Sequence, residues 1–456
     1  MKDLARTLMV DFTQMKTFAE NPLILTEGHG IYVKDVDGRR YIDGLSGTFC
    51  VNLGHGNGPL ADAAAEQLHR LALAAPTLAT NDRALELSEQ LLEITPQQYN
   101  TVKLLSGGSE VTEAAIKMAR QYHKQSGVPT KYKIISHYRA YHGGTGHAIA
   151  AGGWPGWRAP YEPLAGGFIH LHTPDPYRPP FPGAPDTLGA TYAKLVEEVI
   201  QLEGPETIAA FITEPIMMSA GVVVPPRDYL PRIRELCDRY DIVLIFDEII
   251  TGFGRVGALF AAELFGVWPD IFCFGKGMSG GYAPLSANVL TDKIAQTFWG
   301  ESEDQVQFHA GHTYGGNPVA CAVGIAAIGQ IFQQRIVQNA RDRGIQAQAR
   351  LRELQTRYPL IGDVRGEGLL IGVEFVVDPV TRERFPADAN LGIRIRDAAR
   401  RRGLLLRASH WMVAFAPPLT ITAEETDDMI DVFEASLEEV VGSPSGAAAV
   451  AAGGRT

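Results

Sequence analysis

Short segments rich in β-branched and apolar residues alternate with stretches of helical periodicity through the middle of this chain. The candidate strands cover residues 101–105, 132–136, 208–213, 242–246 and 271–274. This alternation is typical of βαβ units, and it predicts an α/β fold with a mostly parallel sheet. Most of these segments run into a polar or glycine-containing turn. Because open α/β sheets bind ligands at the carboxyl ends of their strands, we expect the functional residues in these turns.

The length and charge of the chain exclude several classes of protein. Its 456 residues are 45% hydrophobic and carry a formal net charge of −11. A chain of this size and apolar content can bury a large core or form two to three domains, and it is too apolar for disorder. Nucleic-acid binders concentrate basic residues on one face, so the acidic balance argues against a nucleic-acid partner.

No segment of the sequence predicts a membrane span or secretion. The longest apolar run, residues 319–328, is shorter than the roughly 20 residues that a helix needs to cross a bilayer. The N-terminus lacks the long apolar core and the cleavage site of a secretory signal. Because Cys50, Cys237, Cys273 and Cys321 include no Cys-x-x-Cys pair, we expect buried free thiols, no metal site and a cytoplasmic location.

The segment from Gly252 to Gly257 satisfies the dinucleotide pattern G-x-G-x-x-G. Five residues, 247–251, separate it from the preceding candidate strand, whereas the dinucleotide motif turns directly out of a strand into a helix. A loop of structural glycines is therefore favoured. An NAD-dependent dehydrogenase stays the less favoured alternative.

Two further motifs lack the sequence context that their functions require. Residues 277–281 satisfy the nucleophile elbow G-x-S-x-G, but Tyr282-Ala283-Pro284 follows where a hydrolase would begin a helix. The acidic strand end Asp247-Glu248 resembles a magnesium-binding strand of nucleotide hydrolases, yet the chain contains no G-x-x-x-x-G-K-[ST] motif. The sequence therefore argues against a serine hydrolase and a P-loop enzyme.

Lys276 and Asp247 stand at the ends of two apolar candidate strands. Lys276 lies between two glycines, a position from which a lysine can enter a desolvated pocket and become nucleophilic. A buried carboxylate such as Asp247 needs a cationic partner. A protonated pyridine ring whose aldehyde carbon is bound by Lys276 gives both residues a role. A surface turn for Lys276 and a helix cap or salt bridge for Asp247 are the alternatives.

Ser106-Gly107-Gly108-Ser109-Glu110 follows a third candidate strand and precedes a helical pattern at residues 111–121. Backbone N–H groups at a helix start, left accessible by glycine, bind a phosphate with help from the helix dipole. The alternative is a simple helix N-cap. A phosphate site, a pyridinium partner and a nucleophilic lysine are together the three attachments of pyridoxal 5'-phosphate.

The chain also resembles a known family along nearly its whole length. The motifs that carry the resemblance are Ser106-Gly107-Gly108-Ser109-Glu110, Tyr141-His142-Gly143, Thr213-Glu214-Pro215, residues 246–255, Gly275-Lys276-Gly277 and residues 313–318. They occur in the order and approximate spacing of class III aminotransferases. Among the subgroups, the sequence is most similar to the ω-transaminases that use amines and pyruvate.

The resemblance implies the pyridoxal-phosphate-dependent transferase fold of type I, with a large domain around a mostly parallel sheet and a smaller α/β domain. We expect residues 1–55 to contribute to the small domain and residues 56–330 to form the large one. The C-terminal small domain would cover residues 331–441, where a new α/β pattern follows a helical stretch. The tail, residues 442–456, is mostly Gly, Ala and Ser and is expected to be disordered.

By the same resemblance, Lys276 binds the cofactor and later transfers a proton, while Asp247 keeps the pyridine nitrogen protonated. Six further residues are expected to contact the cofactor at its phosphate or its ring, or to support the loops around it. They are Gly108 and Ser109 at the phosphate, Tyr141 and Ile249 on the two ring faces, His142 beside the ring or in support of its loop, and Glu214 near the cofactor. Thr313 would reach the phosphate of a neighbouring subunit, which implies a homodimer with shared sites, or a tetramer of such dimers.

The expected substrate residues are Phe49, Trp157 and Arg407. Arg407 resembles the arginine that binds a substrate carboxylate and swings away for an uncharged amine, although Ser409-His410-Trp411 departs from the glycine-containing turn common in the family. The expected reaction is ping-pong transamination of a primary amine or ω-amino acid with a keto acid. Pyruvate is the expected keto acid. A decarboxylating aminotransferase and an aminomutase use the same cofactor residues and stay open as alternatives.

Overall fold

The computed structural model describes residues 2–304 and 306–442 of the chain. The predicted disordered tail lies outside these residues except for Gly442, which ends the last helix. The strands of the described residues are β1 Leu25–His29, β2 Tyr32–Asp35, β3 Arg40–Asp43, β4 Tyr99–Leu105, β5 Lys133–His137, β6 Phe168–Leu171, β7 Ile208–Thr213, β8 Val243–Asp247, β9 Ile271–Phe274, β10 Ser286–Thr291, β11 Ile361–Glu367, β12 Leu370–Phe375, β13 Leu404–Leu405, β14 Arg407–Ser409 and β15 Met412–Phe415.

The helices surround the strands and mostly alternate with them in the central part of the chain. They are α1 Met15–Glu20, α2 Ser46–Phe49, α3 Gly58–Arg70, α4 Asp82–Glu93, α5 Gly108–Gln125, α6 Gly146–Ala151, α7 Pro155–Arg158, α8 Leu188–Glu203, α9 Tyr229–Arg239, α10 Ala261–Phe265, α11 Asp292–Ala295, α12 Pro318–Gln333, α13 Ile336–Arg357, α14 Leu391–Arg401 and α15 Ala423–Val441. Short 3₁₀ turns connect several of them, including Lys276–Ser279 after β9.

Within residues 2–304 and 306–442, the central sheet has seven strands in the order β4-β10-β9-β8-β7-β5-β6. Every neighbouring pair is parallel except the two that involve β10, which runs antiparallel to β9 and to β4. The predicted α/β fold with a mostly parallel sheet is therefore confirmed. The strands β4, β7, β8 and β9 all end at the same edge, which places the turns after them side by side.

For five of the seven central strands the sequence prediction holds to within two residues, but it omits the parallel edge strand β6 and the antiparallel strand β10. β7 and β9 have the predicted bounds, whereas β4 begins at Tyr99 and β5 and β8 are shifted by one residue. β10 was not predicted. It can run antiparallel because only residues 275–285 connect it to β9, and these contain a 3₁₀ turn rather than a crossover helix.

The core lies on both faces of the central sheet. On one face α5 packs Val111, Ala115 and Met118 against the apolar side chains of the sheet. On the other face a larger cluster includes Phe246, Phe272 and residues of α9, α12 and α13. Burial on both faces explains why the central strands are continuously apolar rather than alternating.

Two smaller sheets bring the ends of the chain together. In the first, β13 pairs in parallel with β3, with Leu404 opposite Ile42, so the N-terminal strands join the C-terminal part. The second contains β11, β12, β15 and β14 and carries Arg407 on its edge strand. The division of the chain at residues 55, 330 and 441 stays a prediction.

In the described part of the chain, no single helix is long and apolar enough to span a membrane. Only the successive helices α12 and α13 pass such a test when taken together, and they are bent by 62° relative to each other. The four cysteines are free. Cys50 is half-buried rather than buried as expected; it ends the short helix α2 and lies close to Gly281.

Candidate active site

The ends of β8 and β9 place Asp247 and Lys276 at one edge of the central sheet. Asp247 is the last residue of β8 and pairs in register with Cys273 on the parallel strand β9. Lys276 lies three residues after Cys273, at the start of the 3₁₀ turn, and has a φ of 44°. A positive φ is unfavourable for a residue with a side chain, so the surrounding packing must hold Lys276 in this conformation.

The environment of Lys276 favours the uncharged form of its amine. Burial lowers the pKa of Lys276 below its ordinary value, and the positive charge of Arg407 acts in the same direction. The carboxylates of Asp247 and Glu214 oppose this shift. Because only an uncharged amine is a nucleophile, a lowered pKa prepares Lys276 for attack on a carbonyl carbon.

Asp247 is held by neighbouring groups on both carboxylate oxygens. Its Oδ1 accepts a hydrogen bond from the backbone N–H of Ile249 at 3.2 Å. Its Oδ2 lies 2.9 Å from Nδ1 of His142, and since a carboxylate can only accept, the histidine donates. The backbone oxygen of His142 in turn accepts a hydrogen bond from Thr112 on α5. His142 therefore lies behind Asp247 and orients it.

The N-terminus of α5 forms a cradle for an anion. Its N-cap, Gly107, supplies no side-chain hydrogen bond, so the first N–H groups of the helix are left for a ligand. A Cβ added to Gly107 or to Gly144 would meet no atom within 4 Å. Gly144 donates its N–H to Ser109 Oγ at 3.0 Å, which ties the 143–145 loop to the helix start. Free N–H groups and open space together suit a phosphate.

Ile249 lies between the cradle and the lysine turn. A Cβ on Gly108 would lie 3.2 Å from Ile249 Cδ1, and one on Gly275 would lie 3.4 Å from Ile249 Cγ2. The Ile249 side chain therefore contacts both glycines. This is the position from which it can press on one face of a flat ring that extends from the cradle to Asp247.

Aromatic side chains surround Tyr141. Its ring centroid lies 5.4 Å from that of Trp157 and 6.2 Å from that of Phe12, both edge-on. Trp157 also contacts Trp154 at 5.8 Å. Phe12 precedes α1 and was not predicted by sequence reasoning, since nothing near it in the sequence connects it with the Tyr141 motif.

Glu214 follows β7 and is buried beside the same group of residues. Its Oε1 accepts a hydrogen bond from the N–H of Tyr141 at 3.1 Å, and its Oε2 accepts one from Met218 at 3.2 Å. Burial raises its pKa to about 7, with Asp247 adding to the shift and His142 opposing it. Glu214 thus fixes the backbone at Tyr141.

Arg407 lines a cavity of about 200 Å³ whose other walls include Trp154, Trp157, Met218 and Trp411. A second cavity of about 110 Å³ shares Trp154 and Trp157 and reaches Tyr141. Burial lowers the pKa of Arg407. Within the described residues no ion pair joins its guanidinium to a carboxylate, so it is available for an anionic group in a largely apolar cavity.

Two predicted residues lie farther from this arrangement. Phe49 is buried in the main core at the end of the kinked helix α2, and its neighbour Cys50 is close enough to act on the charge of Lys276. Thr313 lies exposed in the loop before α12. The contact of Phe49 with a substrate and the contact of Thr313 with a second subunit stay predictions.

Comparison with known proteins identifies the family. The family profile described as aminotransferase class III matches residues 15–437. The chain is 38% identical over 425 residues to an uncharacterized aminotransferase of Bacillus subtilis, YhxA, with 92% of each chain covered. The chain is a class III aminotransferase.

Solved structures of transaminases are similar to this aminotransferase along almost all of its length. An (S)-enantioselective ω-transaminase from Thermomicrobium roseum matches with a TM-score of 0.92 and 40% identity over 96% of this chain and 98% of that one. An amine transaminase from an uncultivated Pseudomonas species, solved with bound pyridoxal phosphate, matches with a TM-score of 0.91 and 36% identity over 95% and 98% of the two chains. The fold is that of the type I pyridoxal-phosphate enzymes.

Pyridoxal phosphate is the cofactor of this class III aminotransferase, and the described residues fit it. The cradle at α5 offers N–H groups to a phosphate, Ile249 lies beside Gly108 and Gly275, and Tyr141 lines a neighbouring cavity together with Gly143 and Gly144. The carboxylate of Asp247 is buried, and in the described part of the chain His142 is the one side chain within hydrogen-bond range of it, which leaves a place for a protonated ring nitrogen.

The glycine motif at residues 252–257 has a structural role in the aminotransferase. These residues form consecutive turns after β8 and do not start a helix. This agrees with the loop of structural glycines that the sequence predicted. Its Arg255 is fully buried and bonds to Pro417 O, Asn52 Oδ1 and Ser46 Oγ at 2.6–3.0 Å. Arg255 stands at the end of the motif 246–255, but its structural role was not predicted from the sequence.

Proposed function

We propose that this enzyme transfers the amino group of a primary amine or ω-amino acid to a keto acid, with pyruvate as the expected acceptor. The observation that carries the proposal is Arg407, a guanidinium without a carboxylate partner among the described residues, in a cavity walled by tryptophans. Such a cavity offers an apolar wall to an uncharged amine substituent. It also offers two parallel donors to the carboxylate of a keto acid.

Pyridoxal phosphate, when bound, supplies an electron sink that stabilises negative charge on the substrate carbon. Lys276 would hold the cofactor at its aldehyde carbon and, once displaced by substrate, move a proton with its Nζ between substrate carbon and cofactor carbon. Asp247 would keep a proton on the ring nitrogen, with His142 as its hydrogen-bond donor. Gly108 and Ser109 would bind the phosphate, and Tyr141 and Ile249 would hold the ring between them.

Covalent fixation tests the role of Lys276. We expect sodium borohydride to attach the cofactor to the peptide that contains Lys276, as mapped by mass spectrometry. The Lys276→Met variant should bind pyridoxal phosphate without covalent attachment and lose transamination. Attachment at another lysine, or full activity of Lys276→Met, would show that the site has been assigned to the wrong residues.

Initial rates and products test the reaction itself. Amines, β-amino acids and ω-amino acids should be assayed with pyruvate and with 2-oxoglutarate. A double-displacement mechanism gives parallel lines in double-reciprocal plots, whereas intersecting lines would exclude it. Release of carbon dioxide would instead indicate a decarboxylating aminotransferase, and an isomerised amine formed without any acceptor would indicate an aminomutase.

We also propose a homodimer in which Thr313 approaches the neighbouring site. Apolar side chains on and around α3, α4 and the loop before α12 are exposed in the single chain, namely Leu68, Leu71, Leu78, Leu85 and Tyr314. Such a concentration of exposed apolar residues is typical of an interface. Sedimentation velocity should give a dimer or a dimer of dimers, and a monomer at micromolar concentration would refute this proposal. The cytoplasmic location stays a prediction of the sequence.

A further inference from the structure

Trp411 occupies the turn in which the sequence departs from the family. It lies between β14 and β15, and its backbone oxygen accepts a hydrogen bond from Phe375 on β12 at 2.9 Å. Trp411 is 3% exposed and is one of the residues that line the same cavity as Arg407. The large side chain in this turn therefore forms part of the cavity wall rather than of the protein surface.

The indole of Trp411 is held on two sides. The guanidinium carbon of Arg384 lies 3.9 Å from its ring centroid, a cation–π contact. Elsewhere on the ring, a Cβ added to Gly221 would lie only 2.3 Å from Trp411 Cη2, so only glycine leaves room for the indole there. Gly221 has a φ of 102°, which also favours glycine.

Arg384 is itself fixed by a buried ion-pair network. Its Nε lies 3.0 Å from Glu374 Oε1, and Glu374 is completely buried. The same carboxylate pairs with Arg178 and Arg365. Glu374 thus joins three guanidinium groups, and moving Arg384 away from the indole would break its ion pair with this buried carboxylate. The ion pair therefore favours the position in which Arg384 covers the indole.

We propose that Trp411 determines substrate specificity by closing the Arg407 side of the cavity, so that the enzyme accepts a single flat ring and rejects larger substituents. The proposal rests on the proposed function and names the residue that limits its substrates. The chemical class that fits is a primary amine with one aryl substituent, packed against indole faces. Fused bicyclic substituents would meet the ring of Trp411, which Arg384 and the close approach of Gly221 hold in place.

The test compares 1-phenylethylamine with 1-(2-naphthyl)ethylamine, both with pyruvate, on the holoenzyme. We expect Trp411→Leu to raise the ratio of kcat/KM for the naphthyl amine over the phenyl amine about tenfold or more, since a wall residue controls the fit of added carbon atoms. Trp411→Phe should lie between Trp411→Leu and the native enzyme. Gly221→Ala, which pushes the indole into the cavity, should lower the ratio. Trp299→Leu, a change at a tryptophan that is 70% exposed, is the control and should leave the ratio unchanged.

A binding measurement separates this proposal from the proposed function. Benzoate and 2-naphthoate do not react, and their dissociation constants on the holoenzyme can be measured by calorimetry even if no amine is turned over. Trp411→Leu should strengthen naphthoate binding relative to benzoate. An unchanged ratio in both the kinetic and the binding series would overturn the role of Trp411, whereas absent turnover with an altered binding ratio would overturn only the proposed reaction.

Discussion

Nδ1 of His142 lies 2.9 Å from Oδ2 of Asp247, and both side chains are buried, with exposed fractions of 1% and 5%. The other ring nitrogen of His142 is also buried and has no hydrogen-bond partner among the described residues. Among the described residues the imidazole therefore has one hydrogen-bond partner, the carboxylate that we assign to the cofactor nitrogen. A group placed in this way acts through Asp247 rather than on a substrate.

We expect His142→Leu to weaken cofactor binding by about 10- to 100-fold, because a hydrogen bond to a charged group contributes about 1.5–3 kcal/mol. His142→Asn keeps an N–H donor near the position of Nδ1 and should recover most of the affinity. Titration of the apoenzyme with pyridoxal phosphate, followed by absorbance, measures both constants. Equal affinities for the native enzyme and His142→Leu would contradict the positioning role.

Arg407→Leu should reduce kcat/KM for pyruvate by about 10- to 100-fold and leave kcat/KM for an uncharged amine nearly unchanged. The reason is that the lost hydrogen bonds are made only to a carboxylate. Arg158→Leu is a matched control. Arg158 lines the neighbouring cavity, but its Nη2 lies 3.4 Å from Glu162 Oε1, so its charge already has a carboxylate partner. If both variants lost activity toward pyruvate equally, general electrostatics rather than direct binding would be the cause.

Glu248 should make the protein less stable as the pH rises from 4.5 to about 7. It is fully buried, and burial raises its pKa from the ordinary value of 4.5 to about 7, despite hydrogen bonds from Thr251, Ala261 and Ala262. Between these values the folded state binds more protons than the unfolded state, so the free energy of unfolding falls with rising pH, by about 3 kcal/mol for this group.

Glu248→Gln removes this titration. In urea denaturation, the free energy of unfolding of the variant minus that of the native protein should therefore be larger at pH 8 than at pH 5. The variant thus gains stability relative to the native protein as the pH rises. Glu89→Gln, at an exposed position on α4, serves as the control and should show no such trend. The assignment fails if the difference between Glu248→Gln and the native protein does not change with pH.

Arg255→Met should lower the free energy of unfolding by about 2–4 kcal/mol, because it leaves the buried acceptors on Pro417, Asn52 and Ser46 without donors. Arg255→Lys should fall between the native protein and Arg255→Met, since an ammonium group cannot serve the same set of acceptors. Denaturation in urea measures the series. Arg341→Met, which removes one hydrogen bond to Gly257 O, should cost clearly less, and a similar loss would argue against a special role for Arg255.

The sequence was most informative where one local segment carries both the fold and the chemistry. The bounds of β7 and β9 follow from apolar runs that end in polar or glycine-containing turns, and these turns contain Glu214 and Lys276. Parallel pairing then brings the ends of β8 and β9 together without further assumptions. The strands β6 and β10 were not predicted, and the direction of β10 could not have been, because strand direction depends on how the connection folds and local composition does not record it.

The sequence by itself determined the family, the α/β fold, the cofactor and the strand ends from which Asp247 and Lys276 extend, because hydrophobic pattern and motif order are properties of the linear chain. Only the tertiary structure decided which distant side chains surround them. Phe12 reaches Tyr141, His142 supports Asp247, and Arg384 holds Trp411 against the cavity. Such contacts are fixed by packing between separate segments, and no local pattern carries the information about which segments meet.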